Sequence, residues 1–207
     1  MTAAPQAGQC WQVASQVLPM HEGAPCGDAT AWHNLPDAGA GLLVIIDGLG
    51  HGPDAARAAQ AALRCVAAQP GLALPGLLAV LDAQLASLRG AAVGLVRVQP
   101  GGLEHAAVGN TRAMRLRDGG LVRLPSQNGI VGGGLPQSVQ LNRLDLQAGD
   151  MLLLFTDGLD DRLHLPVLLP EWSRDPATLC QHLMRQWRSS RDDAGVLVLH
   201  VLADGAG

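Results

Sequence analysis

Short apolar runs bounded by turn residues alternate along this chain with segments of helical spacing. The apolar runs predict strands at Trp11–Val17, Ala31–Leu35, Leu42–Ile46, Ala92–Val98, Leu103–Val108, Ala113–Arg117, Leu121–Leu124, Ser138–Leu146, Met151–Phe155 and Val196–Leu202. Helical spacing and high helix propensity predict helices at Asp54–Ala67, Pro75–Leu88 and Pro176–Ser189. The strands from about residue 92 to 155 follow one another through short glycine turns, so they are expected to pair antiparallel in an α+β fold.

One domain of residues 1–207 is predicted, with a core from about residue 12 to 202, because no linker or repeat divides the chain. The tail at Ala203–Gly207 is expected to fray. No apolar run approaches the roughly 20 residues of a membrane-spanning helix, and the first residues lack a secretory signal pattern. The four cysteines show no CxxC spacing, so neither a zinc site nor a disulfide framework is indicated. A cytoplasmic protein is expected.

The charge balance argues against a nucleic-acid partner. The net charge is -4, from 14 Lys and Arg against 18 Asp and Glu, and no dense run of arginines is present. With one Phe and no Tyr, the chain also lacks aromatic residues on which bases could stack.

Aspartates at strand ends form the candidate chemistry. Asp28 precedes the apolar segment at Ala31, and Asp47 and Asp157 each end an apolar run before a glycine. Asp192 and Asp193 stand just before the last predicted strand. Each alone is typical of a turn, and Asp118 and Asp150 are interpreted as turn residues. Several meeting at one place would form an oxygen-rich pocket suited to hard divalent cations.

The glycine-rich segment Gly48–Gly52 has a second interpretation as a dinucleotide-binding loop, because it follows a strand and precedes a helix. Its spacing is G-x-G-x-G, however, and Pro53 stands where the third glycine belongs. A Walker A loop is excluded because no Gly-Lys-Ser/Thr occurs. His51 lies inside this segment, either making local hydrogen bonds or acting near a substrate phosphate; the other histidines are expected at the surface or in packing.

These motifs together resemble the SpoIIE-like bacterial branch of the metal-dependent, type-2C-like serine/threonine protein phosphatases. The matching segments occur in the family's order from about Gln12 to Leu202: Gly27-Asp28, Asp47-Gly48-Leu49-Gly50-His51-Gly52, Gly109-Asn110-Thr111-Arg112-Ala113, Thr156-Asp157-Gly158-Leu159 and Asp192-Asp193. Because no sensor or receiver segment precedes them, the chain looks most like the stand-alone phosphatases of the stressosome pathway.

The resemblance implies two packed antiparallel β-sheets flanked by pairs of α-helices. It also implies two divalent cations, Mn²⁺ or Mg²⁺, at one end of this sandwich. Asp47 would bridge the two cations, and the Gly48 carbonyl would bind one of them. Asp157 and Asp192 would hold the other, while Asp28 would contribute directly or through water. His51 or a water molecule would protonate the leaving oxygen.

Two positions depart from the family's pattern, and one expected residue is missing. Gly195 stands where the closing motif usually has Thr, which leaves the choice between Asp192 and Asp193 open. Asn110 replaces the more frequent Asp of the Gly-Asp-Ser-Arg motif. The arginine that grips the phosphate in eukaryotic relatives has no counterpart before Asp28.

The predicted activity is hydrolysis of phosphoserine or phosphothreonine on a regulatory protein by water activated between two cations. The family suggests a STAS-domain substrate of the stressosome or anti-anti-sigma type, and a monomer is expected. Two alternatives remain: a pseudophosphatase that acts as an interaction module, and a nucleotide-binding oxidoreductase.

Overall fold

The fold comes from a computed structural model that describes residues 2–3, 11–36, 39–160 and 175–203. The strands are β1 Thr2–Ala3, β2 Trp11–Leu18, β3 Asp28–Asn34, β4 Gly41–Gly48, β5 Ala91–Gln99, β6 Gly102–Val108, β7 Arg112–Arg117, β8 Gly120–Leu124, β9 Asn142–Asp145, β10 Met151–Phe155 and β11 Ala194–Val201. The helices are α1 Pro53–Ala68, α2 Leu74–Leu85 and α3 Pro176–Trp187. The predicted fraying end, residues 204–207, lies outside the described residues.

Two antiparallel sheets form the framework, as expected. The larger sheet has the strand order β1-β2-β11-β10-β7-β8, and the smaller sheet has the order β3-β4-β5-β6-β9. Neighbouring strands in both sheets run antiparallel. A parallel βαβ unit is absent from this part of the chain, so the dinucleotide interpretation of the segment after β4 loses its structural basis.

The apolar runs are buried on both sides because each sheet lies between two layers. In β4, Leu43 and Ile45 face the other sheet, whereas Val44 and Ile46 pack under the helices. In β10, Leu152 and Leu154 face the sandwich interior, and Phe155 lies on the opposite side with α3. Side chains alternate across a strand, so a run that is apolar at every position fits only a strand covered on both faces.

The helices cover the two outer faces. Helix α1 packs against α2 and the smaller sheet through small residues such as Ala58 and Ala62, which are fully buried. Helix α3 covers the larger sheet through apolar residues at helical spacing, including Leu179 and Leu183. Its N-terminus is capped by Asp175, whose carboxylate accepts from the backbone N–H groups of residues 177 and 178. No helix in the described residues is long and apolar enough to cross a bilayer.

Several predicted boundaries were displaced. Strand β3 begins at Asp28 instead of Ala31, and β9 covers only part of the predicted segment 138–146. Strand β1 was not predicted from the sequence. The turn prediction for Asp150 is confirmed, because its N–H donates to the Gln147 carbonyl at 3.0 Å. The sequence did not predict its full burial, where both of its oxygens accept hydrogen bonds from the Arg117 guanidinium. The turn prediction for Asp118 is confirmed, with φ 48°.

Candidate active site

Asp28 and Asp47 stand opposite each other on neighbouring strands. Asp28 is the first residue of β3, and the register pairs it with Asp47 near the end of β4. Side chains of directly opposed residues project to the same face, with Cβ atoms about 4.5–5.5 Å apart. The antiparallel register therefore brings together two carboxylates that are 19 positions apart in the sequence.

The larger sheet brings in two more carboxylates. Strand β10 ends two residues before Asp157, and β11 begins two residues after Asp192. Because Phe155 pairs with Val196 in an antiparallel register, the end of β10 lies beside the start of β11. The charges of Asp157 and Asp192 both act on Asp47, so the two sheets present their acidic residues to one another.

Crowding and burial raise the pKa values in this group. Burial and the charge of Asp47 raise the pKa of Asp28 to about 8. Burial and the charges of Asp157 and Asp192 raise the pKa of Asp47 to about 7. The pKa of Asp192 is also raised, mainly by burial and then by the neighbouring acids. Such shifts are the expected result of carboxylates that repel each other in a place partly shielded from water.

Two polar side chains hold individual carboxylates in place. The Thr156 hydroxyl donates a hydrogen bond of 2.6 Å to Asp28 Oδ2 and accepts one of 2.8 Å from the Gly195 N–H. This chain of contacts links β3 of the smaller sheet to β10 and β11 of the larger one. The Asn110 amide donates a hydrogen bond of 2.6 Å to Asp157 Oδ2. No role for Thr156 was predicted from the sequence, although its place directly before Asp157 was an available signal.

The adjacent residues Asp192 and Asp193 have different surroundings. Asp193 is 3% exposed, and its two oxygens accept hydrogen bonds of 2.6 Å from the backbone N–H groups of Met20 and Gly27. Asp192 is more accessible, and its charged neighbours include Asp157 and His51. The geometry thus gives Asp193 a structural task and leaves Asp192 directed at the acidic group.

The glycines after the two central aspartates are required by close packing. A Cβ atom on Gly48 would overlap the carbonyl oxygen of Ala55 in α1. A Cβ atom on Gly158 would overlap the carbonyl oxygen of Asp193. The glycine that follows each of these aspartates therefore lets another backbone segment pass within contact distance.

His51 lies at the open side of the group. It is exposed and stands two residues before α1, and its charge lowers the pKa of Asp192. The preceding loop is anchored by hydrogen bonds from Gly48 N–H to the Gly27 carbonyl and from Leu49 N–H to the Gly90 carbonyl. His51 is thus near enough to influence the acidic group without being buried in it.

The predicted residues Asp28, Asp47, Gly48, Asp157 and Asp192 are all brought to one end of the sandwich. Across the described residues, no group of three or more His, Cys, Asp or Glu side chains is arranged closely enough to hold a metal ion as it stands. No Lys or Arg of the described chain forms an ion pair with these four aspartates. The group therefore offers several carboxylate oxygens and no neighbouring positive charge. Oxygen ligands of this kind suit Mg²⁺ and Mn²⁺.

A cavity of about 680 Å³ adjoins the acidic group. Asn110, which holds Asp157, is part of its wall, as is Leu49, two residues after Asp47. Its wall also includes Arg112 and Arg123, to which the sequence analysis gave no function. Their roles depend on strand register, which no local motif signals.

Comparison with protein families identifies the relationship. Residues 37–202 match the family described as stage II sporulation protein E (SpoIIE). Comparison with curated protein sequences finds no relative. The matched segment contains the strands and loops that carry Asp47, Asp157 and Asp192.

Solved structures with the same fold include three informative ones. A chain from a study of the bacterial stressosome as a modular system controlling secondary messenger signalling is 26% identical, with a TM-score of 0.85, and the match covers 92% of this chain and 99% of that one. RsbX in complex with magnesium is 18% identical, with a TM-score of 0.81 and coverage of 96% and 98%. The catalytic domain of the serine/threonine protein phosphatase PstP with two manganese ions is 22% identical, with a TM-score of 0.69 and coverage of 93% and 99%.

Proposed function

The chain belongs to the SpoIIE family of type-2C-like phosphatases, and on that premise we propose that it is a metal-dependent protein serine/threonine phosphatase. The proposed substrate group is a phosphoserine or phosphothreonine on a regulatory protein. The whole chain, residues 1–207, would act as one phosphatase domain. The observation that carries the proposal is the meeting of Asp28, Asp47, Asp157 and Asp192 from two sheets.

The electrostatics of this group support a cation as its missing partner. Burial raises the pKa values of both Asp28 and Asp47, and the charges of neighbouring aspartates raise them further. Carboxylates with strongly raised pKa values are common at functional sites. Bound divalent cations would remove the repulsion and keep the carboxylates ionised. Asp47, the Gly48 carbonyl, Asp157 and Asp192 would hold the divalent cations, and Asp28 would support them directly or through water.

The chemistry divides between the cations and the protein. A pair of Mn²⁺ or Mg²⁺ ions, when bound, supplies Lewis acidity and lowers the pKa of water towards neutrality. The protein fixes the position of the acids through Thr156 on Asp28 and Asn110 on Asp157. The phosphoryl group would be exposed to in-line attack, and no phosphorylated enzyme intermediate is required.

The leaving serine or threonine oxygen must gain a proton. His51 is one candidate donor, because it is exposed at the mouth of the group and lies near Asp192. Water at the site is the other.

A STAS-domain protein of the stressosome or anti-anti-sigma type is the proposed substrate. The support is the fold shared with RsbX and with a chain from a study of the bacterial stressosome. A monomer acting in the cytoplasm remains the prediction from the sequence. Incubation with phosphorylated STAS proteins, followed by mass spectrometry of the substrate, tests this assignment; full retention of phosphate would reject it.

The activity is tested with purified chain and a small aryl phosphate. Hydrolysis is expected with Mn²⁺ or Mg²⁺ and is expected to vanish in excess chelator. Asp47→Asn should abolish the metal-dependent rate and leave the fold intact by circular dichroism. Asp118→Asn is the matched control, because this exposed turn residue has φ 48° and asparagine tolerates that conformation.

The outcomes separate the phosphatase from its alternative. Full activity of Asp47→Asn, or activity undiminished by chelator, contradicts the metal assignment. Binding of Mn²⁺ by calorimetry without any hydrolysis indicates a pseudophosphatase that serves as an interaction module.

A further inference from the structure

The cavity beside the acidic group has a basic and apolar wall that the hydrolytic chemistry does not use. We propose that this cavity, called the docking groove below, binds the polypeptide on one side of the phosphorylated residue and selects substrates with acidic side chains there. The inference rests on the proposed function. The groove's volume is about 680 Å³, and none of its lining residues is Asp or Glu.

Strand register places the two arginines of the docking groove together. Arg123 of β8 pairs with Met114 of β7, and Arg112 lies two residues before Met114 on the same strand. Residues two apart on a strand share a face, and diagonal neighbours lie about 7–8 Å apart. Arg112 and Arg123 therefore share a face of the sheet, and both line the groove. Neighbouring guanidinium groups favour carboxylates, with which arginine forms charge-assisted hydrogen bonds.

This positive charge compensates for the neighbouring negative charge. The chain has a net charge of -4, and four aspartates converge beside the groove. An acidic phosphorylated segment approaching this end would be repelled without a basic surface. Complementary charge at a binding site raises the association rate and excludes partners of the wrong sign.

The groove also offers apolar contacts for a peptide. Leu49 and Ile130 are each 37% exposed, and both line the groove. Large apolar side chains at this exposure beside arginines fit a polypeptide better than a free anion, which would use the guanidinium groups alone. Leu49 follows Asp47 by two residues, so this contact lies next to the proposed hydrolytic site.

The segment that carries Ile130 is held in position by hydrogen bonds to α2 and β5. Asp82 of α2 accepts hydrogen bonds from the backbone N–H groups of Gly132, at 2.6 Å, and Gly134, at 3.1 Å. Val131 and Ala91 exchange two backbone hydrogen bonds of 2.9 Å. A groove whose wall is already ordered binds a peptide at a smaller entropic cost.

The groove and the acidic group share Asn110. Its side-chain amide holds Asp157, while its backbone carbonyl accepts a hydrogen bond from the Arg112 guanidinium. Arg112 also pairs across the sheet with Phe155, two residues before Asp157. A segment bound at Arg112 is thus adjacent to the carboxylates that would position the scissile phosphate.

Peptide binding in chelator tests the groove without any hydrolysis. Two fluorescein-labelled phosphoserine peptides are compared by anisotropy, identical except that the flanking residues are glutamate in one and lysine in the other. The wild-type chain should bind the glutamate peptide at least about fivefold more tightly, and added salt should reduce the difference. Equal affinities, or a preference for the lysine peptide, would overturn the proposal.

Variants assign the preference to its residues. Arg123→Gln should weaken binding of the glutamate peptide about two- to fivefold, the size expected for an exposed charge pair. Arg123→Lys, which keeps the positive charge, should retain most of the wild-type affinity for the glutamate peptide. Arg64→Gln removes an exposed arginine of α1 that does not line the groove, and it should leave the affinity unchanged. An equal loss in Arg64→Gln and Arg123→Gln would show a general charge effect and reject the groove.

The two assays distinguish a failure of this proposal from a failure of the proposed function. A chain that binds the glutamate peptide selectively but never hydrolyses an aryl phosphate with Mn²⁺ refutes the phosphatase and keeps the groove. A chain that hydrolyses the aryl phosphate but binds both peptides equally supports the phosphatase and rejects the docking groove. If Arg123→Gln does not fold, the comparison of the two peptides on the wild-type chain, together with Arg123→Lys, still decides.

Discussion

The carboxylate of Asp193 accepts a hydrogen bond of 2.6 Å from the backbone N–H of Gly27. Gly27 immediately precedes Asp28 at the start of β3, and Asp193 precedes β11 in the other sheet. The second oxygen of Asp193 holds the N–H of Met20 in the segment after β2. Asp193 therefore joins the two sheets at the end of the sandwich where the acidic residues meet.

Asp193→Ala is expected to lower the free energy of unfolding by about 2–4 kcal/mol, because it leaves two backbone N–H groups without their partner. Asp192→Ala should change it by about 1 kcal/mol or less, since Asp192 is more accessible and its hydrogen bond comes from the N–H of its neighbour Asp193. Urea unfolding without metal measures both. In calorimetry with Mn²⁺, Asp192→Ala should lose most of its affinity although it is folded. The opposite ranking in stability would contradict the division of roles.

The stability of the metal-free protein should fall as the pH rises from 6.5 to 8. The pKa of Asp28 is about 8 in the folded protein against 3.8 for an unperturbed carboxyl, so the folded state binds more protons than the unfolded state in this range. Asp47, with a pKa of about 7, acts in the same direction. The free energy of unfolding therefore decreases with pH until both groups are ionised.

The pH range begins at 6.5 because His105 has the opposite effect on stability at lower pH. Burial lowers the pKa of His105 to about 4, so protonation of the unfolded chain makes the protein less stable as the pH falls below about 6.5. Asp28→Asn should flatten the decrease between pH 6.5 and 8, whereas Asp118→Asn should keep it. Chemical denaturation at four pH values gives the slope; an unchanged slope in Asp28→Asn would rule out this carboxyl as its source.

Two glycines near the acidic group should respond oppositely to alanine. At Gly195, an added Cβ would lie 3.4 Å from Thr156 Cγ2 and 3.5 Å from Asp28 Oδ2, which are ordinary contacts. Gly195→Ala should therefore raise the free energy of unfolding by about 0.5–1 kcal/mol, as expected inside a strand. Gly158→Ala should destabilise by about 1–3 kcal/mol, because its Cβ overlaps the backbone of Asp193. Thermal unfolding compares them; equal effects would contradict the described packing.

Asp82 should control the order of the wall of the docking groove. Asp82→Ala removes the acceptor of the Gly132 and Gly134 N–H groups and should lower the free energy of unfolding by about 1–2 kcal/mol. Hydrogen exchange of a peptide covering residues 129–134 should become faster, more than in the rest of the chain. Gln84→Ala, an exposed change on the same helix, is the control. Unchanged exchange in Asp82→Ala would show that the wall is held by other contacts.

The sequence was most informative where local chemistry and burial agree. The run Leu42–Ile46 predicted a fully buried strand, and β4 contains it with helices on one side and the other sheet behind it. Proline and alanine predicted α1 from nearly its first residue. The weak predictions lie at the edges: β9 is short and partly exposed, so few of its residues carry an apolar signal.

The candidate site was predicted as a set of residues but not as an arrangement. Asp28 was placed before its strand, whereas it is the first residue of β3 and the direct partner of Asp47. The choice between Asp192 and Asp193 was open, and the contacts of Asp193 with two backbone N–H groups separate them. Asp150 resembled other turn residues, and only the position of Arg117 on a neighbouring strand explains its burial.

The sequence by itself determined most strands and helices, the antiparallel pairing of the strands between about residues 92 and 155, and the resemblance to the family. Apolar runs, turn residues and short motifs each act over a few neighbouring positions, so they can be identified without the tertiary structure. Only the tertiary structure decided which aspartates meet, which one fastens the sheets and which arginines line the docking groove. Those relationships join residues far apart in the chain, such as Asp28 and Thr156. They depend on strand register and on the packing of one sheet against the other, and both are set by the fold as a whole.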